Sequence, residues 1–138
     1  MSASDTPKRS MRTPLGRVRN LGAAHSGTGD FWRQRMTGVA LYVGTLLLAW
    51  WLIAAASGPA AYANVQAFTS SFIGRLIVFG YTWALMHHML SGIRHFVWDL
   101  GFGFKANERE ALTWGALIGG IVLTVLIWII AYAIGGVR

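Results

Sequence analysis

His87-His88-Met89-Leu90-Ser91-Gly92-Ile93-Arg94-His95-Phe96-Val97-Trp98-Asp99 closes an apolar run that begins near Phe72. From residue 72 to 98 the run exceeds the ~20 residues that a helix needs to span a bilayer. It nevertheless carries Arg75, His87, His88, Arg94 and His95. Ionisable groups at membrane depth are costly, and they mark a pathway, a partner or a cofactor. The chemistry of the chain is therefore sought in this segment, and its fold in the runs on either side.

On the N-terminal side, residues 36–57 are apolar and uncharged, and on the C-terminal side so are residues 112–135. These runs are continuous rather than alternating, and three of them are too few for a closed barrel. The expected fold is all-α: an integral membrane bundle of three transmembrane helices over residues 36–138, preceded by an N-terminal segment, 1–35. Residues 58–71 and 101–111 have loop composition, the first opening with Gly58-Pro59. A hydrophobic share of 54% and a mean hydropathy of +0.47 over 138 residues agree with a small membrane protein. No internal repeat or low-complexity tract is visible.

Charge orients the bundle. Seven of the twelve basic residues precede the first span: Lys8, Arg9, Arg12, Arg17, Arg19, Arg33 and Arg35. The first connection has none, and the second has Lys105 and Arg109. The positive-inside rule puts the N-terminal segment and the second connection in the cytoplasm, and the C-terminus outside. The net charge of +7 is accounted for by topology and anionic lipid rather than by nucleic acid. A cleaved secretory signal is not expected, because the first apolar run starts late and is too long. Residues 1–11 read as a polar, mobile tail.

Other chemistries drop out. The chain has no cysteine, so it makes neither disulfides nor thiolate-held iron–sulfur clusters. No glycine-rich nucleotide loop follows a strand pattern. A redox role would need a histidine-bound cofactor or partner subunits, and the chain is not expected to be a catalyst alone.

Neutral imidazole is a common axial ligand of haem iron. His88 and His95 fall within ~20° of one another on a helix but ~10 Å apart along its axis, too far to share one iron. The second ligand to an iron on His88 would have to come from elsewhere, and His25 lies before the first span. A partner chain is the better source. Two readings of His88 stand on the residues alone, ligation and an interhelical hydrogen bond. Gly92, one turn on, either leaves room for a flat macrocycle or lets helices pack closely. His87 points a quarter-turn away and reads as a packing or hydrogen-bonding residue. Arg94 is expected to snorkel, and His95 to pair with Asp99 along the helix.

Asp30 is expected to cap the first helix, and Arg35 to anchor at the interface or to hold an anionic propionate or quinone oxygen. Gly115 and Gly119 have the spacing of a close helix contact. Trp32, Trp98 and Trp114 map to the cytoplasmic interface.

Residues 12–22, Arg-Thr-Pro-Leu-Gly-Arg-Val-Arg-Asn-Leu-Gly, resemble the opening of bacterial succinate dehydrogenase hydrophobic membrane anchor subunits. Ser26-Gly27-Thr28-Gly29-Asp30-Phe31, then Gln34-Arg35-Met36-Thr37, continue the likeness. His88 with Gly92 and Asp99 resembles the family's haem-bearing helix. Gly92-Ile93-Arg94-His95 with Asp99 looks more like the companion cytochrome b anchor of the same complex. The resemblance implies a multi-pass subunit of the bacterial inner (cytoplasmic) membrane. Its implied partners are a flavoprotein subunit, an iron–sulfur subunit and a second membrane anchor subunit. It also implies a haem b shared with that second anchor and ubiquinone as substrate. By match of position, His88 would be the haem ligand, Arg35 would lie near the propionates and the quinone, and Asp99 would sit at the quinone rim. The tyrosine that follows the aspartate in many such anchors, where it contacts quinone, is Leu100 here. A competing class, a small histidine-based transporter or proton-relay subunit, lacks carboxylates inside the first and third spans.

Overall fold

The computed structural model describes residues 26–135, and these form four helices: α1 Ser26–Ser57, α2 Pro59–Ser70, α3 Phe72–Asp99 and α4 Ala106–Ala133. The basic run over 8–19, His25, the motif over 12–22 and Arg138 lie outside the described residues. Three helices are long and apolar enough to cross a membrane: Thr28–Ser57, Phe72–Asp99 and Ala106–Ala133. The three expected spans are therefore present, and two of them are longer than their apolar runs. At ~1.5 Å per residue, α1 is about 48 Å long against a hydrocarbon core of about 30 Å. Its first turns, with Asp30, Arg33 and Arg35, precede the uncharged apolar run, which by itself is long enough for the span.

Residues 58–71 correct one expectation, since they form a helix rather than a loop. Gly58, at φ 114°, turns the chain, and Pro59 opens α2 at a position where its missing N–H costs nothing. Helix α2 packs Tyr62 on Trp51 and Phe68 on Trp50, and buries Val65. Ser71 then caps α3, its Oγ accepting from the Gly74 amide at 3.0 Å. The second connection is shorter than its composition suggested: only residues 100–105 are non-helical, and a left-handed Gly101 turns the chain. The Lys105 amide donates to Glu108 Oε2 at 3.4 Å and starts α4.

The interior is the reverse of a water-soluble core. Buried positions are small or polar: Ala54, Ala84 and Ala116 beside Asp30, Thr37, His87, Ser91, Arg94, Thr113 and Thr124. Leu46, Ile53, Phe72, Ile73, Phe96 and Ile129 all face outward. This is the pattern expected in lipid, where apolar side chains gain nothing from turning inward and small residues let backbones approach. On α1, Asp30, Thr37 and Gly44 are buried at seven-residue spacing. On α3 the buried stripe is Ala84, His87, Ser91 and Arg94, and on α4 it is Thr113, Ala116, Gly120 and Thr124. Of the expected contact pair on α4, Gly119 meets Leu90 while Gly115 meets nothing. Gly120 lies against the α3 backbone, where a Cβ would stand 3.1 Å from the His87 Cα.

Candidate functional site

His88 and Thr37 join the middle of α3 to α1. The His88 Nδ1 lies 3.3 Å from Thr37 Oγ1. The Thr37 hydroxyl is also 2.8 Å from the Arg33 carbonyl and 3.0 Å from the Gln34 carbonyl, so its single hydrogen points back along its own helix. The imidazole edge rests over Gly38, where a Cβ would be 3.2 Å from Cε1. The opposite ring nitrogen, Nε2, receives no hydrogen bond among the described residues. Among the described residues, the interhelical hydrogen bond is therefore made by one nitrogen of the ring alone.

The surroundings are open on that helix. A Cβ built at Gly92 or at Gly80 would meet no atom within 4 Å, so Gly92 does not serve close packing within this chain. A cleft of about 470 Å³ lies between α1 and α3, lined in part by Met36, Thr37, Ala40, Gly80 and Ala84. The cleft is shallow and open, and neither His88 nor Gly92 lines it.

His87 faces the other way and is fully buried. Its Nδ1 donates to the Ala116 carbonyl at 3.4 Å, and its ring stacks on Trp83 with centroids 5.5 Å apart. It holds α3 to α4, as a packing histidine does.

Three expectations are corrected at the Arg94 end. Arg94 does not snorkel: it is 4% exposed. Its Nη2 pairs with Asp30 Oδ2, its Nη1 donates to Thr113 Oγ1 at 3.1 Å, and its guanidinium lies 4.8 Å from the Trp98 ring centroid. Asp30 is not a cap, because α1 begins four residues earlier, at Ser26, and the carboxylate faces α3 instead. Desolvating a charge is tolerable only with a partner, and each group supplies the other's. The expected pairing of His95 with Asp99 is absent among the described residues; His95 meets the Trp98 ring edge-on.

The matched site residues are not gathered by this chain. His88 and Gly92 share a side of α3. Arg35 is two residues from Thr37, about 200° around α1, so it projects away from α3. It is exposed, its guanidinium 4.1 Å over Phe31. Asp99 ends α3 and is exposed. Thr37, Gly38 and Gly120 escaped the sequence reading. The signal for Asp30 was available, since it is the one carboxylate of α1 and faces a span carrying arginine.

Three membrane-length helices packed along a polar seam define a small polytopic membrane protein. The profile of the succinate dehydrogenase/fumarate reductase transmembrane subunit family matches residues 9–131. Similar relatives include the succinate dehydrogenase cytochrome b556 subunit of Paracoccus denitrificans, 37% identical over 98 residues, which are 71% of this chain and 75% of the relative. The proteins of the same name from Rickettsia felis and Rickettsia prowazekii are 35% and 36% identical over 70% of this chain and 74% of their own length. The chain belongs to the succinate dehydrogenase/fumarate reductase transmembrane subunit family. It is a membrane anchor of complex II, a multi-pass inner-membrane protein working with catalytic subunits. The relatives carry the cytochrome b name, the type that Gly92-Ile93-Arg94-His95 with Asp99 resembles.

Proposed function

We propose that this chain is the cytochrome b-type anchor of a succinate:quinone oxidoreductase, and that His88 is one axial ligand of a haem b shared with a second membrane anchor. The observation that carries the reading is the His88 ring, tied down at Nδ1 and, among the described residues, without a hydrogen bond at Nε2, beside the open flank at Gly92. Holding a haem iron would ask one imidazole of this chain, and His88 would supply it. Among the described residues no group of three or more metal-ligating side chains exists, and none is required. The cytochrome b556 name of the relatives supports the same group. When bound, haem b supplies one-electron storage inside the membrane.

The chain's own residues do the positioning. His88 supplies a lone pair, and Gly92 leaves the helix flank clear. Arg35 offers a fixed positive charge to a propionate or a ubiquinone oxygen, and its exposed position suits a site completed by a partner. Asp99 sits at the rim of that quinone site. The anchor docks the flavoprotein and iron–sulfur subunits on its cytoplasmic face. The test is the reduced-minus-oxidised spectrum of the assembled complex. His88→Ala removes or alters the haem b signal, while His87→Gln and His95→Ala retain it. An unchanged spectrum in His88→Ala would overturn the assignment.

A further inference from the structure

We infer that Thr37 and Gly38 of α1 are positioning residues for the His88 imidazole: the Thr37 hydroxyl selects its tautomer and Gly38 sets where the ring sits. The inference rests on the proposal that His88 ligates haem, and adds to it how this chain prepares the ligand.

The argument begins with one hydrogen. A threonine hydroxyl has a single proton to donate and two lone pairs to offer. At Thr37 that proton is engaged by the carbonyls of Arg33 and Gln34 at 2.8 and 3.0 Å. Only lone pairs are left to face His88 Nδ1 at 3.3 Å, so the contact requires a proton on Nδ1. A neutral imidazole has one ring proton, and with it on Nδ1 the lone pair belongs to Nε2. Thr37 is 2% exposed, so no water competes for the hydroxyl. The helix thus turns a hydroxyl that could donate or accept into an obligate acceptor.

Gly38 supplies the steric half. A Cβ there would be 3.2 Å from His88 Cε1, closer than ordinary van der Waals contact, so the ring would have to tilt or withdraw. Ring tilt re-aims Nε2, and the Nδ1 bond at 3.3 Å has little length to give. Partners of a ligating histidine's second nitrogen orient the ring and raise its basicity; losing one costs about 10–100-fold in affinity. A more basic imidazole favours the oxidised iron, so removing the hydroxyl raises the midpoint potential.

The experiment uses the whole purified complex carrying Thr37→Val, Thr37→Ser, Gly38→Ala or His88→Ala. Haem per complex, haem loss to a scavenger and equilibrium redox titration are measured beside subunit content. Thr37→Val, of native shape but without the hydroxyl, is expected to keep a two-histidine spectrum. Its haem should dissociate about 10–100-fold more readily, with an upward shift in midpoint. Thr37→Ser restores both, and Gly38→Ala loosens the haem with a smaller shift in potential. Wild-type affinity and midpoint in Thr37→Val would overturn the inference, as would a Thr37→Ser complex as disturbed as Thr37→Val. If His88→Ala retains a normal haem, the ligation proposal itself falls. If His88→Ala loses it and Thr37→Val is unaffected, only the role of Thr37 is refuted.

Discussion

Arg94 combines three attachments that belong to three helices: Asp30 on α1, its own neighbour Trp98 on α3, and Thr113 on α4. Breaking a buried pair by removing one member leaves an unpaired charge and costs about 3–5 kcal/mol, whereas replacing both members with apolar groups costs much less. In Arg94→Leu the buried Asp30 keeps only Arg33, 3.8 Å away and partly exposed, so the variant is expected to destabilise the protein by up to about that amount in a denaturant titration of the detergent-solubilised complex. The double variant Asp30→Leu/Arg94→Leu should recover much of the loss. A double variant as damaged as the sum of its parts would show that the pair is not the source of the cost. Sequence alone exposed both residues but not their partnership, because Asp30 was read against its own helix.

At the level of elements, α4 meets the α3 backbone where Gly120 backs His87. Gly120→Ala places a methyl group 3.1–3.2 Å from His87 backbone and Cβ atoms, none of which can swing aside. Overpacking of this kind costs about 1–3 kcal/mol. Gly115→Ala adds its methyl to open space and should lie within about 0.5 kcal/mol of wild type. Thermal denaturation of the two complexes side by side checks the contrast, and equal effects would sink it. The GxxxG spacing marked the right helix and one glycine that meets α3, Gly119 against Leu90, but also Gly115, which meets nothing, and it missed Gly120. Spacing says which residues share a stripe; which stripe faces a neighbour depends on the helix's rotation. Helix α2 was hidden for a related reason: Gly58-Pro59 reads as punctuation, yet proline at the first turn is also how a helix starts.

For the molecule as a whole, lysine and arginine bias predicts the α2 end outside and the Lys105 end in the cytoplasm. Cysteines introduced singly at Ala63 and Asn107, both exposed, should label with an impermeant thiol reagent from opposite sides of the membrane. Modification of both from the same side would refute the topology. Some properties were fully legible in the amino-acid order. The three spans were, because a chain in hydrocarbon must satisfy its backbone within itself, and twenty apolar residues do so as a helix. The residue types at the candidate site were legible too, since a histidine inside an apolar run is conspicuous at any rotation. Only the tertiary structure decided which histidine faces inward, that Thr37 meets His88, and that Arg94 is buried rather than snorkelling. In water, hydrophobicity labels the buried side of a helix. In lipid every side is apolar, so the inner face is marked by small and polar residues whose meaning appears only once the helices are set against one another.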